Sequence, residues 1–86
     1  MFYVYVLQCL SDEDRFYIGF TGDLEGRLTS HNGGHNRSTR GVTWRFVYHE
    51  AYLHEHAARR RERILKHDGR SRRALMERIR ESLGCE

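Results

Sequence analysis

From Phe2 to Gln8 the chain alternates in the manner of a strand, with Tyr3, Tyr5 and Leu7 falling on one side and Val4 and Val6 on the other. A second run of the same kind, Arg15 to Phe20, follows the polar stretch Ser11-Asp12-Glu13-Asp14, so the two predict a hairpin. With Tyr17 turned to the Tyr5 face, the hairpin would bring the two tyrosines together. The period then lengthens. Leu24, Arg27, Leu28 and His31 recur at helical spacing behind Thr21 and Asp23, either of which can cap a helix, and Asn32-Gly33-Gly34 ends it. Gly26 inside this helix costs about 1 kcal/mol relative to alanine, so Leu24 and Leu28 must dock on the sheet for it to persist. Residues 33 to 43 read as a polar loop. From Trp44 to Leu53 the alternation returns, with Trp44, Phe46 and Tyr48 on one face and Arg45, Val47 and His49 on the other, and predicts a third strand completing the sheet. His54 to His67 reads as a helix whose inward face is Ala57, Ala58, Arg61, Ile64 and Leu65. Asp68-Gly69 interrupts it, and Ser71 can cap a last helix with Leu75, Met76, Ile79 and Leu83 as its buried stripe.

Length limits what such a chain can do. Its 86 residues predict one domain over positions 1–86, burying only about 60–65 % of the surface of the unfolded chain. Mean hydropathy is −0.79, which implies a thin core and a wet surface. Cys9 and Cys85 have no metal-ligand spacing and read as free thiols of a reducing compartment. Neither a leader pattern nor a run of membrane-spanning length occurs, so a soluble cytoplasmic protein without membrane contact is expected. The net charge of +3 favours anionic partners only modestly. Its distribution says more: fourteen of the fifteen basic residues are arginine, and Lys66 is the single lysine. Arginine's planar fork suits phosphate, although a GC-rich genome also favours arginine.

Each candidate for chemistry has a plain structural reading beside it. Tyr5 and Tyr17 can simply be a packed aromatic pair. Arg27 and His31, four apart, can be a solvated arginine and a histidine at a helix C-terminus, or two groups on one stripe at the edge of a site. Arg37 and Arg40, set among hydroxyl residues and glycines, suit either a mobile loop or contacts to a sugar-phosphate backbone. Glu62 lies one turn from Ala58 and near Leu65, so it is placed beside the apolar face, yet Arg59, Arg60, Arg61, Arg63 and Lys66 would also make it part of a surface ion-pair array. Glu50 with His49, His54 and His56 matches no common zinc spacing.

Together and in this order, these residues resemble the GIY-YIG nuclease family. Tyr3-Val4-Tyr5 corresponds to the first tyrosine motif, and Tyr17-Ile18-Gly19 to the second after eleven intervening residues, with Arg27, His31 and Glu62 on the helices that follow. The resemblance runs from about Phe2 to Ile79 and is to the small, stand-alone branch. It implies an α+β fold, a small three-stranded antiparallel sheet flanked by helices in the order β-β-α-β-α-α. It also implies cleavage of DNA phosphodiesters with one divalent ion, Mg²⁺ or Mn²⁺, held by Glu62. Tyr5 would be the general base, assisted by Tyr17 or His31. Arg27 would neutralise charge on the phosphate, and Gly19 would permit a close approach of backbone or substrate.

The expectation is thus a DNA nuclease of low sequence specificity, acting in repair or processing, that contacts nucleic acid through Gly19, Arg37, Arg40, Arg72 and Arg73, with a protein partner as a further source of specificity. Three positions depart from the family pattern. Tyr3 replaces the glycine of the first motif, Phe20 stands where repair members place a lysine, and Ala74 stands where several active members have an asparagine. These departures carry the alternative expectation, a nucleic-acid-binding module of the same fold without turnover. The sequence leaves the oligomeric state open.

Overall fold

The computed structural model describes residues 1–34 and 39–84. Its elements run β1 (Phe2–Cys9), β2 (Asp12–Thr21), α1 (Leu24–Asn32), β3 (Trp44–Tyr52), α2 (Glu55–His67) and α3 (Gly69–Ser82). The strands form one antiparallel sheet in the order β2-β1-β3, so the first strand is central and takes hydrogen bonds on both sides. That position explains its composition. Both faces of β1 are covered, and every residue from Val4 to Cys9 is buried.

Two apolar layers result, one on each face of the sheet. Val4 and Val6 meet Ala58 and Leu65 of α2 and Leu75 and Ile79 of α3, with Phe16, Ile18 and Phe20 of β2 packed beside them. On the opposite face Tyr5, Leu7, Cys9 and Trp44 are covered by Leu24 and Leu28 of α1. Cys9 is a buried free thiol, and Cys85 lies outside the described residues.

Four local expectations need correction. Asp12–Asp14 belong to β2, and Leu10-Ser11 alone joins the strands. The turn chemistry of that segment produces an irregularity inside the hairpin: Gln8 pairs with Phe16 while Cys9 pairs with Asp12, and the Gln8 amide donates to the Glu13 carbonyl at 3.0 Å across the break. In β3 the alternation does not run unbroken. Leu7 pairs with Phe46 and Val6 with Tyr48, so Val47 is an extra residue, and this bulge places Tyr48 on the Val4 face while Trp44 and Phe46 stay with Tyr5. The strand also stops at Tyr52, leaving Leu53 exposed.

The last correction concerns α3. It starts at Gly69 and is capped by Asp68, whose carboxylate accepts from the Arg70 amide at 3.3 Å and the Ser71 hydroxyl at 2.6 Å. Asp68 is therefore the only residue between α2 and α3, and Ser71 serves the cap without being it. At α1, Asp23 is the N-cap, accepting from the Gly26 amide at 3.1 Å, and Thr21 braces it through its hydroxyl. A Cβ at Gly26 would press on the Asp23 carboxylate, so the cap would have to shift to admit a side chain there. No helix among the described residues is long and apolar enough to cross a membrane.

Candidate active site

The site lies on the α1 face of the sheet and begins with Tyr5. Gly19 is its direct cross-strand partner, and the missing side chain leaves room for the Tyr5 ring to lie across β2. A Cβ at Gly19 would overlap Tyr5 Oη and Cζ, so the space that glycine provides is filled by the tyrosine. Tyr17, two residues earlier on the same face, sits diagonally from Tyr5 with ring centroids 6.3 Å apart.

Helix α1 brings His31 over this pair. Its ring is 4.7 Å from that of Tyr17 and 5.8 Å from that of Tyr5, and Nε2 lies 2.7 Å from Tyr5 Oη. Far from being a solvent-facing group at a helix end, His31 is 0 % exposed. Its other nitrogen, Nδ1, is 2.7 Å from Oγ1 of Thr39, which is also 0 % exposed. Asn32 fixes the end of the helix against the sheet, its Oδ1 accepting from the Trp44 amide at 2.7 Å and its Nδ2 donating to the Trp44 carbonyl at 3.2 Å. The Trp44 indole donates in turn to the Thr39 carbonyl at 3.0 Å.

Electrostatics joins Arg27 and Glu62 to the cluster. Burial pushes the Tyr5 phenol well above its ordinary value, Tyr17 adds to the rise, Arg27 opposes it, and the charge of Glu62 raises it further. Burial also lowers the His31 imidazole below its usual 6.5, and the Arg27 charge lowers it more, so His31 is neutral at pH 7. Arg27 is half-buried and lines a shallow depression of about 260 Å³ with Thr21, Asp23, Gly26 and Ser30.

Glu62 reaches the site from α2, together with Lys66. The Lys66 ammonium is 3.2 Å from Glu62 Oε2 and 5.7 Å from the centre of the Tyr17 ring, and the Glu62 side chain keeps 22 % of its surface exposed. Besides the packing of Ala58 and Leu65, α2 is tied to the sheet by a carboxylate the sequence did not single out for this task. Glu50 of β3 accepts from the Tyr48 and Tyr52 hydroxyls, each at 2.5 Å, and from Arg61 Nε and Nη2 at 3.0 Å. Burial would raise the Glu50 pKa, but hydrogen bonds from Arg61 and the tyrosines outweigh it and hold it below 4.5. Arg61 immediately precedes Glu62, so this clamp fixes the turn of helix that presents Glu62. A hydrophobic-pattern reading had no means of finding it, because only the Val47 bulge puts Tyr48 and Glu50 on the α2 side.

Of the proposed nucleic-acid contacts, Arg40 is exposed, its Nε donating to the Gly34 carbonyl at 3.2 Å. Arg37 lies outside the described residues. Arg72 and Arg73 are not gathered with the tyrosines: they line a groove of about 420 Å³ on the other face, floored by Phe16, Ile18 and Met76. Among the described residues no three His, Cys, Asp or Glu side chains form a metal cluster. A lone, partly exposed carboxylate does fit a hydrated Mg²⁺ or Mn²⁺, an ion that retains most of its waters and takes only one or two protein ligands.

The family model described as the GIY-YIG catalytic domain matches residues 1–75. A UPF0213 protein of Lacticaseibacillus paracasei is 35 % identical over 76 residues, covering 86 % of this chain and 83 % of its own. One from Haloquadratum walsbyi is 41 % identical over 66 residues, 74 % and 72 % of the two chains, and one from Staphylococcus haemolyticus is 31 % identical over 78 residues, 86 % and 90 %. No solved structure gives a significant match.

Proposed function

Because the chain belongs to the GIY-YIG family, we propose that it is a divalent-metal-dependent DNA nuclease of low sequence specificity in which Tyr5, Tyr17, Arg27, His31 and Glu62 do the chemistry. The observation that carries this reading is the placing of Tyr5, Tyr17 and His31 in mutual contact, with the charges of Arg27 and Glu62 both felt at the Tyr5 hydroxyl.

Tyr5 would receive the proton of the attacking water. A neutral phenol is no base unless its own proton leaves, and neutral His31 at 2.7 Å is the acceptor at hand. Arg27 would stand against the phosphate and offset the charge that develops on its oxygens. Glu62 would hold a hydrated Mg²⁺ or Mn²⁺, which supplies further charge neutralisation at the phosphate. Tyr17, over which the Lys66 ammonium lies, would order the water or the phosphate beside Tyr5. Arg40 would contact the sugar-phosphate backbone near the site, while Arg72 and Arg73 on the far face would serve only a strand that wraps the edge of β2. Phosphate contacts of this kind give salt-sensitive binding with little sequence choice, which suits a part in DNA repair or processing with a protein partner supplying the target.

A second reading rests on the raised Tyr5 phenol and on Ala74: the same fold binding nucleic acid without cutting it. Incubating wild type and Glu62→Gln with plasmid, single-stranded, flap and branched DNA in Mg²⁺ or Mn²⁺ separates the two. Metal-dependent cutting lost in Glu62→Gln is the expected result. Cutting unchanged in the variant would sink the role of Glu62, and salt-sensitive binding without cutting by either protein would establish the binding module.

A further inference from the structure

Thr39 belongs to the polar loop that the sequence reads as a surface feature, yet its side chain is 0 % exposed and within 2.7 Å of His31 Nδ1. The chain Tyr5 Oη, His31 Nε2, His31 Nδ1, Thr39 Oγ1 is thus a buried line of hydrogen bonds with two equal links of 2.7 Å. A neutral imidazole carries one proton, so one of the two nitrogens donates while the other accepts, and their partners set which. We infer that Thr39 is the positioning residue that keeps the His31 proton on Nδ1, leaving Nε2 as the acceptor for the Tyr5 hydroxyl.

The direction follows from acid strength. A phenol is a stronger donor than a neutral imidazole N–H, and an imidazole nitrogen is a stronger acceptor than a hydroxyl oxygen. Both preferences are met when Tyr5 donates to Nε2 and Nδ1–H donates to the Thr39 hydroxyl. The opposite tautomer would aim Nε2–H at the phenol oxygen, a weaker acceptor than an imidazole nitrogen, and leave the phenol proton without His31 as its acceptor.

The inference rests on the nuclease reading only for its consequence. As water attacks, its O–H bond breaks toward Tyr5 Oη, the Tyr5 proton moves to His31 Nε2, and the hydroxide oxygen bonds to phosphorus as the P–O bond to the leaving oxygen breaks. His31 ends as an imidazolium with Nδ1–H still donated to Thr39. Once the leaving oxygen has taken a proton from solvent, His31 passes its Nε2 proton back to Tyr5 Oη as Tyr5 gives the proton it took from water up to solvent, which restores the starting state. Among the described residues, Tyr5 from β1, Tyr17 from β2, Arg27 of its own helix and Thr39 face His31. Tyr5 meets His31 at Nε2, and Thr39 meets it at Nδ1. The Thr39 backbone is itself held by the Trp44 indole, which fixes where the hydroxyl can stand.

The test is the nitrogen spectrum of the His31 ring in ¹⁵N-labelled full-length protein at pH 7, assigned by its absence from His31→Gln, read beside cleavage of the best DNA substrate. Wild type should show a protonated Nδ1 and a bare Nε2, and Thr39→Val should lose that preference and slow cleavage by about 10²-fold, the scale of general-base assistance. Thr39→Ser, which keeps the hydroxyl, should restore both. A proton on Nε2 in wild type overturns the inference outright, as does a Thr39→Val protein with the wild-type ring spectrum. Should Thr39→Val fail to fold, the wild-type and Thr39→Ser spectra still decide the tautomer. A wild type that cuts no DNA would remove the nuclease reading, while the ring spectrum would still decide the role of Thr39 by itself.

Discussion

The Tyr5 ring lies across β2 in the space above Gly19, so that the hydroxyl at the start of the buried chain to His31 and Thr39 is placed by a residue with no side chain. The second motif therefore contributes a glycine whose work is to seat the tyrosine of the first. Gly19→Ala should destabilise the fold by about 1–3 kcal/mol, the usual cost of forcing an extra carbon into a packed site. Denaturant titration measures the loss. Activity should fall further than stability, because the ring must leave the position from which Oη meets His31; full cleavage by a folded Gly19→Ala protein would refute this.

Glu50 and Arg61 should behave as a clamp on α2. The Glu50 side chain is 15 % and the Arg61 side chain 32 % exposed, so water weakens the pair, and the larger penalties of wholly buried ions do not apply. Glu50→Gln should cost about 1–3 kcal/mol through the lost charge-assisted hydrogen bonds. It should also lower cleavage without touching substrate, since the next residue after Arg61 is Glu62. Unaltered stability in urea unfolding would count against the clamp.

The same cluster predicts how stability varies with pH. Glu50 is held below 4.5 in the folded protein, so its contribution is complete above that value and is lost as pH falls further, where the unfolded chain binds the proton first. Tyr52 behaves in the opposite sense: burial and the Glu50 carboxylate push it from 10.0 up to about 12, so its contribution is complete below pH 10 and lost between there and about 12. His31, lowered from 6.5 by burial, adds a loss of stability as pH falls below 6.5. Thermal melts over pH should show both limbs. Tyr52→Phe should make the alkaline one shallower without removing it, since burial also raises the Tyr5 and Tyr48 phenols. His31→Gln should flatten the upper part of the acid one; unchanged limbs in these variants would contradict the assignment.

Lys66 bears on the metal. Its ion pair with Glu62 is an exposed i,i+4 pair, worth about 0.3–0.5 kcal/mol, so it competes only weakly for the carboxylate. Lys66→Met should lower the Mg²⁺ concentration for half-maximal cleavage by about twofold. A tenfold change would mean that Lys66 does more than occupy Glu62.

The order of elements and both apolar layers were legible because β1, the helices and their stripes obey the periods of two and 3.6 with few exceptions. Motif order and spacing grouped Tyr5, Tyr17, Arg27, His31 and Glu62, and of these Tyr5, Tyr17 and His31 meet directly in the fold. Thr39 was not, since nothing in a run of small polar residues distinguishes one threonine that turns inward to meet a histidine eight positions earlier. Asn32 was read as a helix stop, but its side chain also pairs with the backbone of Trp44, a contact between segments twelve residues apart. The Glu50 clamp escaped for a different reason: an unbroken alternation in β3 puts Tyr48 on the Trp44 side, and only pairing with β1 reveals the offset.

That offset at Val47 makes the length of β3 as informative as its composition. Upstream of it the strand supplies Trp44 and Phe46 to the layer around Tyr5; downstream it supplies Tyr48, Glu50 and Tyr52 to the layer under α2. Deleting Val47 would remove only the extra, half-buried residue and restore regular alternation, with Phe46 still opposite Leu7 and Tyr48 still opposite Val6, so each half of the strand would keep its face. Regular pairing of the strand at its present length would instead turn either the aromatic wall beside Tyr5 or the anchor of α2 the wrong way. Homologues shorter by this one residue should consequently keep the chemical character of both halves in unbroken alternation, whereas those of equal length are free to vary the side chain at 47 itself.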